Sequence, residues 1–265
     1  YQAVLCAETG HIATHESGAI EATGHKVMTL PSPDGKITAE QIAKACDWHY
    51  AQGNREHITQ PGAVYISHPT ENGTTYTKDE LAEISATCKK YNLPLFLDGA
   101  RLGYGMAAPD STITMKDLAE YCDVFYIGGT KVGALCGEAV VFTKGNRPAH
   151  FMTSVKKRGA LLAKGRLLGI QFDTLFTDDL YFKISRHAIE MAGQVKEIIR
   201  EKGWQVYMDS PTNQQLILMT EDEMAELGKT IIFDRWGVYD ESRTIVRIAT
   251  SWSTTEEDMA VLAKA

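Results

Sequence analysis

The chain has 265 residues, of which 44% are hydrophobic and 23% charged. This composition is typical of a globular protein with a substantial core, and it excludes a disordered chain. Lys and Arg total 27 against 34 Asp and Glu, so the formal net charge is −7. No basic cluster is long enough to follow a phosphate backbone, and we therefore expect no nucleic-acid partner.

The cysteines and the hydropathy of the chain indicate a cellular compartment. The five cysteines are scattered, with no C-x-x-C pair, which favours a reducing environment. No apolar run approaches the roughly 18 residues of a membrane span, so no membrane partner is expected and the cytoplasm is the predicted location. The chain opens at Tyr1, directly before a strand-like segment, and we expect an N-terminal segment to be missing.

Short apolar or β-branched runs alternate with helical patterns in the first 150 residues. Apolar residues recur at helical spacing in residues 39–50 and 78–91. The predicted strands lie at residues 4–6, 26–30, 63–67, 93–98, 124–128 and 138–142. This alternation predicts an α/β fold with a mostly parallel central sheet flanked by helices.

The pattern changes in the second part of the chain. A long helical stretch covers residues 160–203 and is interrupted near residues 177–179. Strand-like runs and one short helix follow, which predicts a small C-terminal α+β domain. We therefore expect a major domain over residues 1–178 and a small domain over residues 179–265.

Two residues at the ends of predicted strands suggest a cofactor. Asp98 ends the run Leu95-Phe96-Leu97, and Lys131 follows Gly128-Gly129-Thr130 after the next buried strand. Asp98 by itself could equally cap the following helix, and a lone lysine after a strand is usually a surface residue. The apolar, glycine-rich residues after Lys131, however, favour a lowered pKa and Schiff-base chemistry.

Together, an aspartate and a lysine at neighbouring strand ends suit pyridoxal 5′-phosphate (PLP). The ring nitrogen of this cofactor stays protonated when a carboxylate binds it, and a lysine must reach its aldehyde carbon. Asp98 and Lys131 could fill these two roles from the same edge of one sheet.

Short motifs along nearly the whole chain match one family in order. They are Gly10-His11-Ile12, Glu16-Ser17-Gly18, Asp34-Gly35, Glu71-Asn72-Gly73, Asp98-Gly99-Ala100-Arg101, Thr130-Lys131 and Val246-Arg247-Ile248-Ala249-Thr250-Ser251-Trp252. On these motifs the chain resembles the L-threonine aldolase and β-eliminating lyase family of fold-type I PLP enzymes. The resemblance implies the fold-type I major domain and PLP as cofactor, without a metal.

The resemblance also implies roles for single residues. Lys131 would bind the cofactor aldehyde, Asp98 its ring nitrogen, and His11 would stack on its ring, with Thr130 and Arg101 also in contact with PLP. Arg101 and Arg247 would bind the substrate carboxylate, a task that suits the planar guanidinium fork. From the residues alone, His11 is more often a surface or capping residue, and Arg247 a solvent-facing strand residue.

The chain departs from the family at two places. Glu71 stands where threonine aldolases carry a histidine before Asn-Gly, and His68 lies three residues upstream. The base for the substrate β-hydroxyl is therefore Glu71, His68 or neither. In addition, the family's Gly-Gly-Thr phosphate-binding turn and a serine contact to the substrate lie upstream of the segment that matches Tyr1.

We accordingly predict a PLP-dependent lyase that acts on an L-amino acid, most specifically by retro-aldol cleavage of a β-hydroxy amino acid such as threonine. β-Elimination or transamination on the same scaffold is the enzymatic alternative, and a cofactor-less structural or binding fragment is the alternative of another class. The resemblance implies a homodimer or homotetramer. The basic segment Lys156-Lys157-Arg158-Gly159, with Lys164 and Arg166, could face solvent, the cofactor phosphate or a subunit interface.

Overall fold

The computed structural model describes residues 1–265 and is built around a six-stranded sheet. The strand order is β2-β1-β3-β4-β5-β6, and every neighbouring pair is parallel except β5 and β6. The strands are β1 (Gln2–Ala7), β2 (Lys26–Leu30), β3 (Gln60–Ser67), β4 (Leu95–Asp98), β5 (Val124–Gly128) and β6 (Glu138–Phe142). The predicted mostly parallel sheet is thus confirmed.

Seven helices accompany the large sheet. They are α1 (His11–Thr14), α2 (Ala39–Ala51), α3 (Lys78–Lys90), α4 (Leu102–Ala107), α5 (Met115–Tyr121), α6 (Phe151–Lys157) and α7 (Arg166–Phe176). A threonine begins each of α2, α3 and α5, and its hydroxyl accepts the backbone N–H three residues on while that residue's side chain bonds back. This capping box satisfies two backbone donors that the helix itself leaves free.

The main core lies between one face of the large sheet and helices α2, α3 and α5. It contains 19 buried residues, including Leu5, Ile66, Leu97 and Leu118. The opposite face carries a much smaller cluster of Cys6, Ile12 and Tyr65. The sheet therefore rests on one continuous core, and its carboxyl edge is left free for a site.

The C-terminal part contains a four-stranded antiparallel sheet in the order β7-β8-β10-β9. Its strands are β7 (Gln205–Met208), β8 (Gln214–Met219), β9 (Asp234–Val238) and β10 (Thr244–Ala249), and its helices are α8 (Leu180–Lys202), α9 (Glu221–Leu227) and α10 (Glu256–Lys264). A second core of 12 buried residues joins the helices to one face of this sheet.

A short turn lies at the predicted boundary between the two domains. A 3-10 turn at Thr177–Asp179 separates α7 from α8, next to the predicted boundary at residue 178. Helix α8 contributes to the second core through Met191 and Val195 and to a separate cluster with Tyr104 through Tyr181. The division into residues 1–178 and 179–265 stays a prediction. None of the helices combines the length and the apolar character needed to cross a bilayer.

Candidate active site

Four of the predicted site residues follow neighbouring strands of the large sheet. His11 comes four residues after β1, Glu71 four after β3, and Arg101 and Lys131 three after β4 and β5. Since these strands are parallel, their carboxyl ends meet at one edge. Strands β9 and β10 of the small sheet complete a cleft of about 400 Å³ there. Its lining residues are His11, His15, Glu71, Arg101, Lys131, Asp234, Arg235, Trp236 and Arg247.

Two glycines bring the ends of β4 and β5 close together. The Gly128 N–H donates to the Gly99 carbonyl at 2.8 Å. A Cβ at Gly99 would collide with the carbonyl of Tyr126, and one at Gly128 with the carbonyl of Ala100. Only glycine permits this backbone approach, which places the loop of Arg101 beside the loop of Lys131.

Lys131 lines the cleft and remains accessible from it. Burial lowers the pKa of its amine, and the nearby charge of Arg101 lowers it further. None of the ion pairs in the structure includes this lysine. Its amine is therefore free of ion pairs within the chain, and its bond to the cofactor stays a prediction.

Thr130 forms a hydrogen bond within its own loop region. Its hydroxyl donates to Glu138 at 3.0 Å, and the neighbouring Gly129 N–H donates to the same carboxylate at 2.5 Å. The Thr130 side chain is not among those that line the cleft. In this structure the threonine supports the loop that carries Lys131, and its contact with the cofactor stays a prediction.

Asp98 is buried at the end of β4 and has no cationic partner in the chain. Its carboxylate accepts the Ala100 N–H at 2.9 Å and the hydroxyl of Tyr65. It lines a second, largely apolar cleft of about 430 Å³, together with Tyr65, Phe96 and others. A hydrogen bond of 2.5 Å between His11 and Glu16 links the walls of the two clefts.

Arg101 is a second unpaired cation in the first cleft. No ion pair includes it. Burial lowers its pKa to about 10, and the positive charge of Arg247 contributes to this shift. A buried cation without a partner is unfavourable in isolation, so this guanidinium is suited to bind an anion.

Glu71 is the acidic group of the cleft and is only 7% exposed. Its Oε1 accepts the Ser67 hydroxyl at 2.6 Å and the His11 backbone N–H at 2.9 Å. Its Oε2 is buried and has no partner. Burial raises the pKa of this carboxyl, and the donation by Ser67 opposes the shift only in part. A carboxylate whose pKa is raised and whose second oxygen has no hydrogen-bond partner is suited to act as a general base.

His68 is completely buried and is not among the residues that line the cleft. Its Nδ1 accepts the Tyr76 N–H at 3.3 Å, and burial lowers the pKa of its ring to about 4. The ring is thus neutral near pH 7 and lies behind the site. Of the two candidates for the base, only Glu71 faces the cleft.

Several flat side chains that line the cleft stack on one another. The ring of His11 stacks on His15 at 5.1 Å between centroids, and His15 stacks on Trp236 of the small sheet at 5.5 Å. The guanidinium of Arg247 lies 4.1 Å from the centroid of the Trp236 ring. Burial and the neighbouring charges of His11 and Arg247 lower the pKa of His15, so neutral His15 joins two elements distant in sequence.

The residues present fit PLP at its ring nitrogen, at its aldehyde carbon and at an anionic group. Asp98 is a buried carboxylate that lacks a cation and could bind a protonated ring nitrogen, and the apolar wall beside it suits an aromatic ring. Lys131 is an unpaired amine of lowered pKa, as Schiff-base formation requires. Arg101 is free for an anionic group. His11 lies in the same cleft, although its stacking on a cofactor ring stays a prediction.

Sequence reasoning missed several residues of the site. Trp236 and Asp234 lie on β9, a strand for which the sequence showed no clear alternation, and His15 directly follows the short helix α1. Ser67 ends a predicted strand, and its polar side chain at that position was the signal that could have identified it. Trp236 and Asp234 had no local signal, because only the position of the small sheet brings them to the cleft.

Comparisons with known proteins agree with this geometry. Residues 1–203 match the beta-eliminating lyase family. The chain is 30% identical to a low specificity L-threonine aldolase of a Pseudomonas species over 99% of this chain and 75% of that protein. It is 33% identical to the corresponding Pseudomonas aeruginosa protein over 76% of this chain and 58% of that protein. A Leishmania major threonine aldolase structure superposes with a TM-score of 0.94 at 41% identity, covering 99% of this chain and 76% of that one.

The fold and the cleft define a fold-type I enzyme, in which Lys131, Arg101 and Arg247 line the cleft and Asp98 is buried at the end of β4. With the matches above, the chain belongs to the beta-eliminating lyase family. The enzymes of this family use PLP in general. The family, fold class and lyase class predicted from the sequence are therefore confirmed.

Proposed function

We propose that the chain is a PLP-dependent aldolase that cleaves threonine, or a similar β-hydroxy amino acid, to glycine and an aldehyde. The cleft that brings Lys131, Arg101, Arg247 and Glu71 together carries this proposal. Its support includes the Pseudomonas and Leishmania relatives, which are named threonine aldolases. Neither β-elimination nor transamination has a specific observation in its favour.

The chain's own groups would divide the work of binding the cofactor and the substrate. When bound, PLP supplies the electron sink that accepts the pair released as the Cα–Cβ bond breaks. Lys131 would hold its aldehyde carbon, and Asp98 would hold its ring nitrogen in the protonated form. Arg101 and Arg247 would orient the substrate carboxylate through paired N–H donors.

Glu71 would remove the proton of the β-hydroxyl. The hydroxyl must lose this proton as the Cα–Cβ bond breaks and the aldehyde forms, so a base is required at that oxygen. Oε1 is held by Ser67 and His11, which leaves the unpartnered Oε2 as the accepting atom. The raised pKa brings the carboxylate closer to the pH at which it must exchange a proton.

Product analysis tests the proposed reaction. Purified protein reconstituted with PLP is incubated with L-threonine, and glycine, acetaldehyde, keto acid and ammonia are measured. Formation of equal amounts of glycine and acetaldehyde is expected. A keto acid with ammonia would instead indicate elimination. A protein that gains no visible absorption with PLP and forms no product would indicate a cofactor-less binding protein.

We further propose that the chain forms a homodimer or homotetramer. Apolar side chains are exposed around α6 and α7, beside the basic segment between Lys156 and Arg166, and large exposed patches of this kind mark association surfaces. They are Met152, Leu161, Leu162, Leu167 and Ile170. Leu167→Asp should shift the mass measured by light scattering toward the monomer.

We place the protein in the cytoplasm because its five cysteines are unpaired.

A further inference from the structure

The two arginines of the cleft differ in what they bind. Arg101 makes no ion pair, whereas each nitrogen of the Arg247 guanidinium already donates one hydrogen bond within the chain. Its Nε and Nη2 donate to one oxygen of Asp234 at 3.1 and 2.5 Å, and its Nη1 donates to Gln214 at 2.9 Å. The ring of Trp236 covers one face of the same group.

We propose that Asp234 is an internal competitor for the substrate carboxylate and thereby sets the affinity for the amino acid. This inference rests on the proposed function, in which Arg247 binds that carboxylate. Asp234 occupies the Nε and Nη2 edge of the guanidinium, one of the two edges at which arginine binds a carboxylate with paired N–H donors. A substrate that uses this edge must first displace Asp234.

The surroundings of the pair determine which partner moves. The Arg247 side chain is 14% exposed, and that of Asp234 is 59% exposed. Arg247 is also held by Gln214, which is fully buried, and by Trp236. Asp234 can therefore rotate into water at small cost while the guanidinium keeps its orientation.

The strand register keeps Asp234 within reach of Arg247. Asp234 and Arg247 are cross-strand partners on β9 and β10. Directly opposed residues on neighbouring strands lie within reach of each other without any loop ordering. Asp234 thus returns to Arg247 whenever the product carboxylate leaves, and one carboxylate exchanges for another at the same guanidinium.

Asp234→Asn tests the proposal because asparagine keeps an accepting oxygen at this position but has no charge. We measure KM and kcat for L-threonine and, independently of cleavage, the Kd for glycine from the change in visible absorption of the PLP-loaded protein. Both KM and Kd should fall about three- to tenfold, since the competing ion pair is partly exposed. The value of kcat should stay within twofold.

Asp240→Asn is the matched control. Asp240 forms a comparable pair with Arg243, also in the small sheet region and outside the cleft. This variant should leave KM, Kd and kcat unchanged. An equal decrease in KM in both variants would show a general charge effect and would overturn the specific role of Asp234.

The sign of the change separates competition from support. A rise in KM and Kd for Asp234→Asn would mean that Asp234 positions Arg247, and no change would mean that it is a bystander; either result overturns the proposal. If the unmodified protein forms no glycine from threonine, the proposed function fails. Tighter glycine binding by Asp234→Asn would still support the role of Asp234 in that case.

Discussion

The hydroxyl of Ser67 donates to Oε1 of Glu71 at 2.6 Å, while Oε2 of the same buried carboxylate has no partner. The first contact fixes the orientation of the side chain, and the second oxygen keeps its capacity to accept a proton. A buried polar atom without a partner costs stability. Glu71 is thus held in one orientation through Oε1 while its Oε2 has no hydrogen bond, a combination that is common at functional sites.

Replacing Glu71 by glutamine is expected to reduce retro-aldol turnover about 10²- to 10⁴-fold, the range of a positioned general base. The amide can still accept the Ser67 hydroxyl but takes up no proton near neutral pH. Steady-state rates with L-threonine measure the effect. The visible absorption of the bound cofactor should not change, because the substitution leaves Lys131 and Asp98 in place.

His68→Asn is the companion to this experiment, since asparagine can keep an acceptor for the Tyr76 N–H. Because His68 is buried away from the cleft, turnover should stay within a fewfold of the unmodified protein. A loss as large as that of Glu71→Gln would instead make His68 the base.

The raised pKa of Glu71 also predicts a pH dependence of stability. In the folded protein burial raises this pKa above its unfolded value, so the folded state retains a proton that the unfolded state has lost. The contribution to the free energy of unfolding is therefore lost as the pH rises above the ordinary range of a glutamate. Urea unfolding from pH 4 to pH 8, with cofactor saturating, should show wild type losing stability relative to Glu71→Gln. A difference that stays constant across this range would contradict the assignment.

Lys131→Ala is expected to abolish both turnover and the visible absorption that PLP acquires when bound to a lysine. The amine is the only candidate in the cleft for the covalent bond, because Lys131 is the only lysine that lines it. Absorption spectra and rate measurements check the result. Lys89→Ala, at an exposed lysine of α3, should retain both properties, and retention of both by Lys131→Ala would refute its role.

Arg247→Lys is expected to raise the KM for L-threonine about tenfold or more, since an ammonium cannot replace paired guanidinium donors. It also loses the flat contact with Trp236. Steady-state kinetics measure the change in KM. The same exchange at Arg243, whose ion pair lies outside the cleft, should leave KM unchanged, and equal effects at both positions would argue against a substrate contact at Arg247.

Much of the fold could be predicted because periodicity is a local property. The runs at residues 26–30, 124–128 and 138–142 are strands over the same residues in the structure. The parallel order of β1 to β5 followed from the helical patterns between those strands. The short helices α4 and α5 and the strand β9 were not predicted, because they contain too few residues for a period to be distinguished from chance.

The sequence by itself determined the family and the mostly parallel sheet, and it predicted Asp98 and Lys131 as the residues most suited to PLP, because both follow strand-like runs that a local pattern reveals. Only the tertiary structure decided which acid serves the cleft. Glu71 and His68 are three residues apart, yet the turn directs one into the cleft and the other into the core. It also decided that Arg247 meets Asp234, because cross-strand register depends on the pairing of β9 with β10, which no local pattern records.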